Sequence, residues 1–213
     1  MSLNGVQLAE EIRVARSFPL PVSENLIGWG TGVVQHIQGA AITNNPVVTG
    51  TTPPGGSLSA GASVGGIISG LSGSAMAGLI VANSNGTYPF VSQELLNFCN
   101  AIVQHIQSAT VVFSPGSITG QCTNTPMSSG PLVNGQGSNG FIVGLSGTVL
   151  ASLVTAQVPY PFVSPELIEF CTAVADHITN NAEVIYSSGQ VTGTCPAGGG
   201  GLIGGTAING QIL

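Results

Sequence analysis

The chain is predicted to be an α+β protein of three tandem homologous units, each of two short helices, a β-hairpin and a Gly-rich connector, arranged pseudo-threefold or stacked. Three observations carry this. One element recurs as Phe18–Ala40 (FPLPVSENLIGWGTGVVQHIQGA), Tyr88–Ala109 (YPFVSQELLNFCNAIVQHIQSA) and Tyr160–Ala182 (YPFVSPELIEFCTAVADHITNNA). Its Ser23, Ser92 and Ser164 lie 69 and then 72 residues apart, and His36, His105 and His177 share one position within it. A second marker, Leu-x-Gly, stands at Leu3-Asn4-Gly5, Leu71-Ser72-Gly73 and Leu145-Ser146-Gly147, and Ile208-Asn209-Gly210 closes the chain in the same phase. Self-similarity at a fixed period is the signature of a repeat architecture, and the units are expected at 3–70, 71–144 and 145–213.

Within a unit the elements follow from local chemistry. After Leu-x-Gly come VQLAEEIRVARS, SAMAGLIVAN and TVLASLVTAQ, the first of them charged and so the most solvated. A Pro-containing bend then ends in a Ser suited to cap a helix. In the third unit Pro165 follows at the first helical position and Glu166 in the first turn, against the positive end of the helix dipole. Leu95, Cys99, Ile102 and Ile106, matched by Leu167, Cys171, Val174 and Ile178, form an inward stripe. Next, ATVVFSPGSITGQC and AEVIYSSGQVTGTC are rich in branched residues around a central Pro-Gly or Ser-Gly and predict a hairpin. The Gly-rich stretches 53–66, 123–140 and 196–205 predict connectors.

Composition narrows the function. Of 213 residues only 5% are charged, none is Lys, 32 are Gly, and the net charge is -6. With Arg13 and Arg16 the sole cations, there is no basic surface for nucleic acid. A 43% hydrophobic content and a mean hydropathy of +0.45 argue against disorder. Glu10, Glu11, Arg13 and Arg16 stand where a signal peptide needs its apolar region, so synthesis in a host cytoplasm without a secretory signal is expected. Residues 63–82 form a charge-free 20-mer, but its Gly and Ser dilute it and no cation flanks it. A membrane-associated protein using 63–82 and 141–158 is therefore kept as an alternative function.

Chemistry-bearing residues are few. Cys99 with Cys122 and Cys171 with Cys195 are 23 and 24 apart, and the first unit lacks both, carrying Gly30 and Thr52 instead. Two disulfides or four small buried thiols both fit. A pseudo-threefold ring would hold His36, His105 and His177 equidistant from its axis, and three imidazoles with an open fourth site is a zinc arrangement. The simpler reading is last-turn histidines bonding free carbonyls. Glu94 and Glu166 read as first-turn dipole partners, not a catalytic pair. Gly61-Ala62-Ser63-Val64-Gly65 matches the nucleophile-elbow string, which leaves a serine hydrolase using Ser63 and a histidine as a further alternative. Gly135 to Gly140 matches the dinucleotide string without a βαβ context, and Gly198 to Gly201 has no Lys to hold phosphate. No catalytic residue, cofactor or metal is assigned.

The phrase PFVSPELIEFCTAVADHI, followed by a β-stretch and a Gly-rich tail around Cys195, resembles small structural proteins of tailed bacteriophages. The resemblance implies a non-enzymatic virion component of the tail, baseplate or neck, or a head cement protein. Its partners would be other virion structural proteins and further copies of itself in a symmetric assembly, held by a weakly charged, Gly/Ser/Thr-rich surface.

Overall fold

The computed structural model describes residues 2–18, 21–158 and 162–213, and the side chains of all of these except 45–47. The bend prolines Pro19 and Pro161, and Tyr160 at the head of the third recurring element, lie outside the described residues. The α+β class holds. In chain order the elements are α1 (Gly5–Ala15), α2 (Glu24–Gln38), β1 (Ala41–Thr52), β2 (Ser59–Ser69), α3 (Gly73–Asn83), α4 (Gln93–Ser108), β3 (Thr110–Cys122), β4 (Gly130–Val143), α5 (Gly147–Gln157), α6 (Pro165–Asn181), β5 (Val184–Cys195), β6 (Gly200–Gly201) and β7 (Ile203–Ile212). They gather into two compact units. One holds all the helices, from 1–40, 70–109 and 144–182; the other holds all the strands, from 41–69, 110–143 and 183–213.

The helical unit is a closed ring in which each helix packs on its neighbours in sequence and α6 packs on α1. The short helices α1, α3 and α5 bury matching stripes: Leu8, Ala9 and Ile12; Met76, Ala77 and Ile80; Leu150, Ala151 and Val154. That i, i+1, i+4 spacing puts each set on one face. The long helices start where the sequence predicts, since the hydroxyls of Ser23, Ser92 and Ser164 accept from the backbone N–H of Leu26, Leu95 and Leu167 at 3.3, 3.1 and 3.2 Å. Each such cap contributes about 1 kcal/mol. The Gly of each Leu-x-Gly marker allows close approach: a Cβ on Gly5 or Gly147 would stand 2.4 or 2.2 Å from Thr31 or Thr172 of the next helix.

The strand unit is a closed six-stranded antiparallel barrel in the order β1-β2-β3-β4-β5-β7, with β7 pairing back onto β1 and the short β6 beside the end of β1. Here the sequence reading needs correction. Thr110–Cys122 and Val184–Cys195 are not hairpins but single long strands. Their Gly116 and Gly189, at φ of +91° and +86°, sit where the strand register shifts. A Gly in that conformation serves a bulge as well as a turn. The stretches read as connectors at 53–66 and 123–140 run mostly within the partner strands β2 and β4, and 196–205 runs through β6 into the start of β7; the alternation of β4 and β7 is interrupted by bulges at Asn139-Gly140 and Asn209-Gly210. Ile208-Asn209-Gly210 is therefore part of a strand and not a further helix-start marker.

The barrel interior is layered. Ile42, Val111 and Val184 lie fully buried with Ile68, Ile142 and Ile212. In the adjoining layer Phe113 and Tyr186 stack with centroids 5.2 Å apart. A Cβ on Gly140 would stand 2.4 Å from the Phe113 ring, and one on Gly210 would stand 2.6 Å from Tyr186. The third large position of this layer is polar: Asn44 donates to the Ser63 hydroxyl and accepts from the Tyr186 hydroxyl at 2.5 Å. All three are buried, and burial pushes the Tyr186 phenol well above its usual value.

Candidate functional sites: histidine caps, a neutral barrel wall and an aromatic cup

The three histidines occupy equivalent places but do not form a metal trio. Nε2 of His36 accepts from the backbone N–H of Ser72, Nε2 of His105 from Ser146, and Nε2 of His177 from Asn4, at 2.9, 2.9 and 3.4 Å. Each imidazole thus occupies the backbone N–H that starts the next short helix, and the last one reaches back to the first helix of the ring. Among the described residues no group of three or more His, Cys, Asp or Glu could hold a metal ion. The expectation that these rings bond free carbonyls is corrected as well. Their Nε2 atoms accept hydrogen bonds, which leaves the proton of the neutral ring on Nδ1. Burial holds His36 and His105 below the usual imidazole range.

The Nδ1 atoms differ. That of His177 meets the Glu11 carboxylate at 2.8 Å, whereas that of His105 is buried with no hydrogen-bond partner among the described residues. The middle residue of Leu-x-Gly was the missed signal, because Asn4, Ser72 and Ser146 are the N-cap residues of α1, α3 and α5.

The cysteines pair across the expected sets. Cys122, at the end of β3, is bonded to Cys195, at the end of β5, with Cα atoms 5.9 Å apart, while Cys99 and Cys171 are free. Cys99 lies in α4 and Cys171 in α6, and burial pushes both thiols up to about 12. Spacing along the chain could not separate these arrangements, since the true bridge joins equivalent positions 73 residues apart.

Ser63 lies inside the barrel at 1% exposure, hydrogen-bonded to Asn44, and its surrounding Gly-x-Ser-x-Gly string is strand β2 rather than a strand-to-helix turn. Gly135 to Gly140 is likewise part of strand β4. The 63–82 segment is divided between β2 and α3, and 141–158 between β4 and α5. No described helix is long and apolar enough to cross a membrane.

Charge is distributed unequally. Within 41–69, 110–143 and 183–213 the sole charged residue is Glu183. The outer barrel wall presents Val64, Ile67, Ile203 and Ile208 at 49 to 61% exposure, amid Ser, Thr, Gln and Gly. Every other charge belongs to the helical unit, where Arg13 pairs with Glu10 and Arg16 with Glu169.

The helical unit also holds a cup that the sequence reading missed. Trp29, Phe98 and Phe170, each the sixth residue after a capping Ser, form a triangle of edge-to-face contacts with centroids 5.1 to 6.2 Å apart. An aromatic at that place in all three recurring sequence stretches was its signal. Phe18, Tyr88 and Glu94 join these rings around a cavity of about 520 Å³. A second recess of about 380 Å³ lies beside Phe162, Glu166 and Arg16 and shares Phe98 and Phe170.

Against protein-family models, curated proteins and solved structures, the chain finds no match.

Proposed function

We propose that the protein is a non-enzymatic structural component of a virus particle, built from three homologous units and held in a symmetric assembly with further copies of itself and with other virion proteins. The observation that carries this reading is the barrel wall, with one charged residue in three stretches of chain and four large aliphatic side chains at about half exposure or more. A free soluble surface normally carries about a quarter or more of charged residues, whereas a surface covered in permanent contact needs none. Apolar burial and backbone contacts would supply the affinity, at roughly 25 cal/mol per Å² of apolar area covered. The resemblance to small phage structural proteins gives the kind of particle: tail, baseplate, neck or head cement.

The test is incorporation. Ile67→Glu and Ile208→Glu place carboxylates on the outer wall without touching the interior. Particles banded by density and digested with chymotrypsin, which does not depend on Lys, should contain the natural chain at a fixed copy number. They should lack the variants, even though these fold with unchanged circular dichroism. Incorporation of both variants at the natural level, or absence of the natural chain from particles, would overturn the proposal.

A further inference from the structure

We infer that the aromatic cup is a binding site for a methylated ammonium group, the cation of a choline-type ligand. This does not depend on the assembly reading, because the cup belongs to the helical unit and not to the barrel wall.

Four features point to it. The cavity is walled by Phe18, Trp29, Tyr88, Phe98 and Phe170, five of the eleven aromatic residues of the whole chain. Its volume of about 520 Å³ falls within the range of small-molecule pockets, about 300 to 1,000 Å³.

The rim is held in place before any ligand arrives. Tyr88 donates its N–H to the Ser84 hydroxyl at 3.2 Å, and the neighbouring Thr87 hydroxyl bonds Asn25 of α2. The Phe18 carbonyl accepts from Arg13, and Arg16 lies over the Phe18 ring at 5.5 Å. Arg16 lines the neighbouring recess and not the cup, so its contact fixes the Phe18 ring from outside the cavity.

Glu94 lines the same cavity and makes no ion pair among the described residues. There is no Lys, Arg13 is paired with Glu10, and Arg16 is paired with Glu169. Glu94 also faces the positive end of the α4 dipole from the first turn, which offsets the repulsion that end would exert on a cation.

The choice between cations follows from hydrogen bonding. The capping hydroxyls of Ser23 and Ser92 in the lining already accept from the backbone of their own helices. A primary ammonium would leave N–H groups poorly satisfied among the rings, at a cost set by losing its hydration. A trimethylammonium has no N–H to satisfy, and its charge spreads over methyl groups that pack on aromatic faces. A neutral ligand of the same shape would fill the cavity but gain nothing from the ring quadrupoles or from Glu94.

Trp29 is the only tryptophan, so its fluorescence reports on the cup. The purified full chain would be titrated at constant ionic strength with choline and with 3,3-dimethylbutan-1-ol, its neutral isostere with carbon in place of nitrogen. A saturable change with choline is expected, with binding about tenfold weaker for the isostere. Glu94→Gln should weaken choline several-fold and leave the isostere unchanged, and Glu24→Gln, outside the cavity lining, should alter neither. Because Tyr88→Ala could loosen the rim, the Glu94 variant carries the decision. Equal affinity for the two ligands, an identical response in Glu94→Gln, or a linear, non-saturating quench by choline would each overturn the proposal.

Discussion

The barrel and the helical ring solve the same problem of closure by different means. Each is made of six main elements and must join its last to its first. In the barrel, β7 meets β1 through the same antiparallel ladder that joins every other neighbouring pair, so the closing seam needs no special side chains. Helices satisfy their backbone internally and offer a neighbour no ladder. The closing seam of the ring, α1 against α6, is accordingly where side-chain chemistry concentrates: Arg16 meets Glu169 at 3.3 Å, Glu11 meets His177 at 2.8 Å, and Gln7 reaches Asn181 at 3.4 Å. The equivalent seams between α2 and α3 and between α4 and α5 join helices of consecutive chain stretches. They use neutral contacts such as Asn83 to Gln35 and Gln157 to Gln104, at 3.0 and 2.8 Å. Among the described residues, the charged contacts that join one helix to another are found at this seam, where neither a ladder nor chain continuity specifies the partner.

The largest effects are expected where the barrel closes by shape alone. Phe113→Ala would leave a cavity in a fully buried layer and should cost about 3 to 5 kcal/mol. Gly140→Ala should also destabilise, because its Cβ would stand 2.4 Å from the Phe113 ring. Combined, the two should cost less than their sum, with a coupling of about 0.5 to 3 kcal/mol in urea denaturation. Strict additivity would mean that the layer does not close by matching ring against glycine.

An intermediate effect is expected at the histidine caps. Removing the imidazole leaves a part-buried N–H without its acceptor, which costs about 1 to 3 kcal/mol. His177→Ala should exceed His36→Ala and His105→Ala, because it removes at once the Asn4 N–H acceptor and the Glu11 contact of the only seam without chain continuity. Hydrogen exchange should show the loss confined first to α1. Equal costs at all three positions, or uniform loss of protection, would show that the seams are alike.

How much of this was legible depends on the range of each interaction. The caps at Ser23, Ser92 and Ser164 and the stripe Cys99, Ile102, Ile106 are set within a few residues, and the sequence reports them directly. The first-turn positions of that stripe, Leu95 and Leu167, are only half-buried, since Leu95 lines the cup and Leu167 the second recess. Gly116 and Gly189 carried a true signal with two physical meanings: a positive φ serves a hairpin turn or a bulge, and only the long pairing of β3 and β5 with their neighbours decides between them. The Gly-rich strands read as connectors because bulges interrupt the period of two. The Cys122–Cys195 bridge and the Trp29, Phe98, Phe170 triangle join equivalent positions of distant stretches, and distance along the chain carries no information about either. Recurrence marked both sets without deciding them, because Cys99 and Cys171 recur as regularly and stay free, and only the closed arrangement selects which equivalent positions meet.

The smallest expected effect sharpens the comparison of seams most directly. Counting from the Gly that opens each short helix, Leu153 in α5 stands where Glu11 stands in α1, and the His105 Nδ1 that lacks a partner stands where His177 Nδ1 meets that carboxylate. Both His36 and His105 titrate below their unfolded value because burial disfavours the charged ring. The folded state therefore binds fewer protons than the unfolded chain, so stability is full above the unfolded value of about 6.5 and falls as pH drops through it toward the folded values. Leu153→Glu offers His105 the acceptor it lacks and favours its charged form. Its folded pKa should rise toward the unfolded one, and that residue's share of the acid loss should shrink. Leu153 is half-buried, so at pH 7.5 the variant should be about 0.5 to 3 kcal/mol less stable, and that deficit should narrow as pH falls to 5. Thermal melts across that range, with the His105 imidazole followed by NMR, would read both. An unchanged His105 titration would mean that the carboxylate does not reach the ring, and that the α1–α6 seam owes its charged contact to more than the position of Glu11.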